Sequence, residues 1–164
     1  MRFTPKRSVV IAAVCLLAGG AAGVSVPAMA SNTSAHRNAN VPNVTLDFSG
    51  TNDEQAVANT VGVAFGGNAR VKDGGGNVIG TAYDLCDKDS ISPTSTTAFC
   101  AGEIVFNDGS QVSFNVVFPI PNAASNYPNV FQGVINGGTK AYEGVTGEAE
   151  FTAKSPGVYD LQFN

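Results

Sequence analysis

Few side chains in this chain could do chemistry. Glu103, Asp84 and Arg70 can polarise a bond or move a proton, and Tyr83, Tyr127, Tyr142 and Tyr159 can donate a hydrogen bond. A single histidine, His36, lies in a Ser-, Asn-, Ala- and Thr-rich stretch that ends at Pro42. No G-x-S-x-G elbow is present, so hydrolysis by a Ser-His-Asp or Cys-His site is disfavoured. No grouping of His, Cys and carboxylates has the spacing of a zinc site. Asp84, Asp87 and Asp89 crowd one segment without the D-x-D-x-D-G order of a calcium loop. Gly137-Gly138-Thr139-Lys140 lacks the spacing of a phosphate loop and reads as a glycine-bearing turn between strands. What remains suits reactions that need a dry pocket and a proton donor or acceptor, and it suits simple ligand binding equally well. No metal and no organic cofactor is expected.

Within that set, Glu103 and Tyr83 are the candidates for proton handling and orientation, and Arg70 and Tyr142 for ligand contact. Side chains alternate along a strand, so Glu103 shares a face with Phe99, Ala101 and Val105. A carboxylate on a largely apolar face either does chemistry there or sits at the strand's rim. If it does chemistry, Glu103→Gln should lower turnover and leave the fold intact.

The elements that must position these residues are short. Apolar or alternating runs fall at Val44–Ser49, Thr60–Val71, Val78–Cys86, Thr97–Phe106, Gln111–Phe118, Val130–Ile135, Glu148–Ala153 and Val158–Phe163. Asp73-Gly74-Gly75-Gly76-Asn77, Asn107-Asp108-Gly109 and Ser155-Pro156-Gly157 are turn signals between them. A bulge or bend is expected at Gly66-Gly67, a helical turn over Asp53–Asn59, and a loop over Pro119–Pro128. In Glu148–Lys154 the charged set Glu148, Glu150 and Lys154 alternates with Ala149, Phe151 and Ala153, so the apolar set faces inward. No segment keeps a helical apolar period. Eight strands with tight turns point to an all-β single domain, either an antiparallel barrel, which leaves no open edges, or a sandwich.

Composition agrees. The 164 residues are 43% hydrophobic and only 13% charged, with 19 Gly and no Trp. Nine Lys and Arg against thirteen Asp and Glu is the wrong balance for nucleic acid or an anionic membrane surface. Residues 1–30 have the pattern of a secretory signal: Arg2, Lys6 and Arg7, an apolar stretch from Val9 to Ala22, and Ala28-Met29-Ala30 as a cleavage site. The apolar stretch is short and Gly-rich for a membrane anchor. Cys15 falls inside it. Residues 31–42 read as a disordered arm and 43–164 as the barrel domain, in a secreted protein. Cys86 and Cys100 then read as a disulfide closing a polar loop from Asp87 to Phe99, with two free thiols or metal ligands as the alternative.

One segment resembles a known pattern. Gly137-Gly138-Thr139-Lys140-Ala141-Tyr142-Glu143-Gly144-Val145-Thr146-Gly147 is similar to the G-G-T-x-x-[YF]-x-G-[AV]-x-G signature of the allene oxide cyclase barrel-like and dirigent-like proteins. Gly80-Thr81, Cys86, Cys100-x-Gly102 and Asp108-Gly109 add to the likeness, which spans about residues 60–164. The resemblance implies an eight-stranded antiparallel barrel of the calycin-like type, oligomeric in many members, and a homo-oligomer, dimer or trimer, is expected here. It also implies cofactor-free handling of small hydrophobic molecules: cyclisation of oxylipins, steering of radical coupling, or ring closure in polyketides. The family has no shared catalytic motif to carry over, and the lack of Trp and the export signal depart from its bacterial cyclases. In the motif itself, the glycines permit a tight turn under Tyr142, so its role is read as structural first.

Three functions follow. The first is a secreted cyclase, isomerase or dirigent-like guide for a small hydrophobic substrate. The second is a secreted carrier that binds a lipophilic molecule unchanged, and the third a structural barrel whose lumen is filled by its own side chains. A filled lumen supports the third, a ligand recovered unchanged the second, and conversion with stereochemical bias the first.

Overall fold

The computed structural model describes residues 40–51, 59–93, 95–120 and 126–164. The expected signal (1–30), all of the arm up to residue 39 with His36, and residues 53–58 of the expected helical turn lie outside them. Eight strands form a closed antiparallel barrel in simple sequential order. They are β1 Val44–Asp47, β2 Ala64–Lys72, β3 Val78–Ile91, β4 Thr96–Phe106, β5 Gln111–Ile120, β6 Asn129–Thr139, β7 Gly147–Ser155 and β8 Val158–Phe163. β8 pairs back onto β1, with Leu46 opposite Tyr159, so no strand edge is left for another chain to extend. The barrel, not the sandwich, is therefore the architecture.

The turns form where the sequence places special backbone. Asp73 accepts N–H bonds from Gly75 and Asn77, both at 2.9 Å, and Gly76 takes a φ of +83° to close the β2–β3 hairpin. Gly109 takes +77° in the β4–β5 turn, where Asp108 accepts the Ser110 N–H at 2.8 Å. L-residues other than Asn and Asp rarely reach this region, which is why these turns are spelled with glycine.

Three expectations about local structure need correction. β3 and β4 run past the cysteines to Ile91 and Thr96, so the supposed polar loop is mostly paired strand with a short turn at its tip. β5 continues through Pro119 to Ile120, with Pro119 near its end, where one missing N–H is tolerated. Gly66 and Gly67 pair regularly with Leu85 and Asp84, and the β2–β3 irregularity lies between Val71 and Lys72. Gly66 is needed for another reason: a Cβ there would run into the Asp84 carbonyl oxygen of the neighbouring strand.

Inward positions alternate along every strand, and they fill the lumen. Leu46, Val71, Ala82, Ile104, Val112 and Leu161 are essentially inaccessible to solvent. Two glycines make room for rings. A Cβ on Gly102 would clash with the ring of Phe114, its direct cross-strand partner, and one on Gly133 would lie 2.6 Å from Phe151. The result is a packed core in which most of the aromatic rings gather toward one end of the barrel, with Phe106 and Tyr142 at the other.

Candidate functional site

The disulfide decides which face of β3 and β4 is the inside. Cys86 and Cys100 are direct register partners, both are buried, and their sulfurs are bonded. Every second residue from them also faces the lumen: Ala82, Asp84 and Lys88 on β3, and Ala98, Gly102 and Ile104 on β4. Asp84 is thus carried into the interior by the same alternation that buries Cys86. Its Oδ1 accepts the N–H of Gly67 on β2 at 2.8 Å, and its Oδ2 lies 3.7 Å from the Cys86 sulfur. Asp84, Cys86 and Cys100 cluster closely enough to suggest a metal site. The sulfurs are spent in the disulfide and present no thiolate, so the trio lacks the donors such a site needs.

Asp84 borders a cavity of about 30 Å³. Seven aromatic rings line it: Phe48, Phe65, Phe114, Phe118, Phe131, Phe151 and Tyr159. Leu46, Val116 and the two half-cystines complete the wall. Five of these rings belong to the same end of the barrel, since Phe48 follows β1, Phe65 and Phe131 stand near the starts of β2 and β6, Tyr159 near the start of β8, and Phe118 near the end of β5. All of them but Phe65 form one connected set. Phe131 stacks on Phe118 (centroids 5.3 Å apart) and on Phe151 (5.5 Å). Tyr159 meets Phe48, Phe118 and Phe131 edge-on at 6.1–6.3 Å. Phe131 and Tyr159 are only partly buried, so they stand at the mouth. Aromatic faces attract flat apolar molecules and cations, and a carboxylate among them can take a proton or a hydrogen bond. The volume is room for about one water, so an occupant larger than that must turn rings aside.

The opposite end is plugged. Lys140–Tyr142 form one 3₁₀ turn between β6 and β7, and the Tyr142 ring packs on Phe106 at 5.0 Å. Gly138 is required beneath it, because a Cβ there would lie 2.6 Å from the carbonyl oxygens of Gln111 and Tyr142. Gly144 takes a φ of +79° to leave the turn. The Gly-Gly-Thr segment is therefore a lid for this end of the barrel, and its burial raises the Tyr142 hydroxyl's pKa, helped by the charge of Asp108.

The structure does not bring the four residues singled out from sequence into one site. Tyr142 is at the plugged end. Tyr83 and Glu103 are direct cross-strand partners, but on the outer wall, with Tyr83 half exposed. Burial against apolar neighbours raises the Glu103 pKa above its ordinary value. It lies mid-strand, not at a rim. Arg70 also points outward, and its guanidinium lies 2.7 Å from Asp47, which also receives the Lys72 ammonium at 2.7 Å. Asp84 was named among the proton-handling residues and does reach the cavity. The aromatic mouth was not anticipated. The signal for it was the parity set by Cys86 and Cys100, which marks Asp84 as inward and Glu103 as outward.

No family model and no curated protein sequence matches the chain. Among solved structures, it is similar to a pyocyanin demethylase with a TM-score of 0.54 and 20% identity, over 74% of this chain and 99% of that one. That likeness is one of fold.

Proposed function

We propose that this barrel handles a small, flat, apolar molecule at its aromatic mouth, with Asp84 as the group that takes a hydrogen bond or a proton from it. The observation that carries the reading is the ring-lined cavity with a carboxylate in its wall. Asp84 is only partly buried, and the Gly67 N–H at 2.8 Å holds its carboxylate in place in the wall of that cavity. The barrel neighbour named for pyocyanin, a flat tricyclic molecule, supports the choice of ligand shape. Conversion, where it occurs, would follow the cofactor-free chemistry expected from the sequence: isomerisation, cyclisation or stereochemical guidance, with Asp84 and the Tyr159 hydroxyl in place of Glu103 and Tyr83. The disulfide is compatible with work outside the cell, and among the described residues no helix is long and apolar enough to cross a membrane.

The small cavity favours a second reading, a barrel filled by its own side chains and serving a structural role. Native mass spectrometry with added pyocyanin and with a saturated hydrocarbon of similar volume separates the two. One flat molecule bound per barrel, with the saturated probe excluded, is the expected result. Failure of every flat aromatic probe to bind would leave the structural reading in possession. Retained binding in Asp84→Asn, together with loss of any stereochemical bias in product, would assign Asp84 to conversion and not to affinity.

A further inference from the structure

Two inward side chains of β3 carry charge, and the site described above uses one of them. Asp84 stands in the wall of the cavity. Lys88 follows four residues later on the same face, beyond Cys86, so about 13 Å of strand separates the two backbone positions. Lys88 is only 3% exposed. Among the described residues it is the one buried cation, whereas Arg70, Lys72 and Lys154 pair with carboxylates on the outer wall. The register puts it at the aromatic end. Lys88 lies across from Ala98, and Ala98 across from Phe118, whose ring lines the cavity. Thr96, also buried, stands two residues from Ala98 on the same face of β4. This end of the lumen is therefore two-sided: β3 and β4 bring Asp84, Lys88 and Thr96, and the other strands bring the rings.

We infer that Lys88 anchors an anionic oxygen on the molecule that enters the mouth, so that the ligands of this barrel are flat aromatic acids or phenolates. The inference rests on the reading that the mouth takes a flat molecule, and it names the chemical class. Taking an ammonium out of water costs free energy that a nearby anion offsets, and their attraction grows as water is excluded. A carboxylate or phenolate carried on a flat ring brings that anion together with the surface that the aromatic wall receives. The remainder of the chain opposes such a ligand, since thirteen Asp and Glu outnumber nine Lys and Arg. A cation placed inside the mouth reverses that sign locally.

Asp84 then sets the direction of entry. Its carboxylate repels the anionic group, which stays on the Lys88 side, and accepts a hydrogen bond or a proton from the opposite edge of the ring. The stretch of strand between the two charges is comparable to the length of two or three fused rings.

Fluorescence titration of the full chain with anthracene-2-carboxylate and with 2-anthracenemethanol, its neutral counterpart, tests this. The wild type is expected to bind the carboxylate roughly tenfold or more tightly than the alcohol. Lys88→Gln and Lys88→Met should each remove most of that preference while the alcohol binds as before, and Lys88→Arg should keep it. Circular dichroism checks the fold, and two neutral variants guard against one that folds poorly. Equal affinity of the wild type for both probes, tighter binding of the alcohol, or a carboxylate preference that survives both neutral substitutions would overturn the inference and leave the flat-molecule reading standing. Failure of both probes to bind the wild type would overturn that reading and this inference together.

Discussion

The residue with the strongest electrostatic environment is not one that the sequence nominated. Asp47 is nearly buried, with Lys72, Arg70 and the Ser49 hydroxyl and N–H converging on its carboxylate. The Lys72 hydrogen bond first, and that of Ser49 second, hold its carboxyl far below the usual range, against the opposing cost of burial. A carboxyl depressed in the folded state binds fewer protons there than in the unfolded chain. Its contribution to stability is therefore complete above the unfolded value of about 3.9 and is lost as pH falls below it. Asp47→Asn should cost about 1–2 kcal/mol at neutral pH, less than a fully buried pair because Arg70 and Lys72 remain partly in water. Urea unfolding at pH 7 and near pH 2 checks it: the gap between the two proteins should narrow toward the acid end. A gap of the same size at both would mean that packing, not charge, sets the effect. The Asp47–Arg70 pair could not be read from sequence, since the two residues are brought together only by the β1–β2 register. Arg70, a candidate for ligand contact from the sequence, shares Asp47 with Lys72 instead.

At the scale of elements, legibility followed turn chemistry. The glycine turns and the alternation in β7 were plain, and the strand number came out as expected. Strand ends did not, because β3, β4 and β5 continue through polar residues and a proline that the closed sheet tolerates. The larger difficulty was the β3–β4 hairpin. Both of its faces are rich in apolar residues, so alternation alone does not say which is inside. Glu103 looked unusual among Phe99, Ala101 and Val105 because that apolar face was assumed to belong to the core. The cysteines held the answer, for a disulfide bridging two opposed strand residues in a barrel wall points inward here, and parity does the rest. The same bridge should stabilise the hairpin. Cys86 and Cys100 are 14 positions apart, and freeing a loop of that length in the unfolded chain is worth roughly 3 kcal/mol in the chain-entropy model. The double variant Cys86→Ala/Cys100→Ala should lose about 2–3 kcal/mol in denaturant unfolding while keeping its β-sheet spectrum. Loss of less than about 0.5 kcal/mol would show that the unfolded chain already holds this hairpin together.

For the molecule as a whole, the question is whether the aromatic end is a core or a doorway. The two give opposite signs for one substitution. Phe131 is stacked between Phe118 and Phe151 yet is only partly buried, and it stands where an occupant would enter. Phe131→Ala removes two stacking contacts and enlarges a cavity that now holds about 30 Å³. As a core change it should destabilise the barrel by about 2–3 kcal/mol, below the value for a fully buried ring because part of this one already meets water. If the rings only fill space, that loss is the whole result. If they part to admit a flat molecule, the wild-type protein spends some binding free energy on moving Phe131, and the variant does not. Its affinity should then rise, by roughly tenfold for each 1.4 kcal/mol of rearrangement avoided. Thermal unfolding with and without pyocyanin reads both quantities at once. The expected pattern is a lower midpoint for the free variant and a larger ligand-induced rise than in the wild type. A lower midpoint with no ligand response in either protein would identify the aromatic layer as core, and would place any function of this barrel on its outer wall.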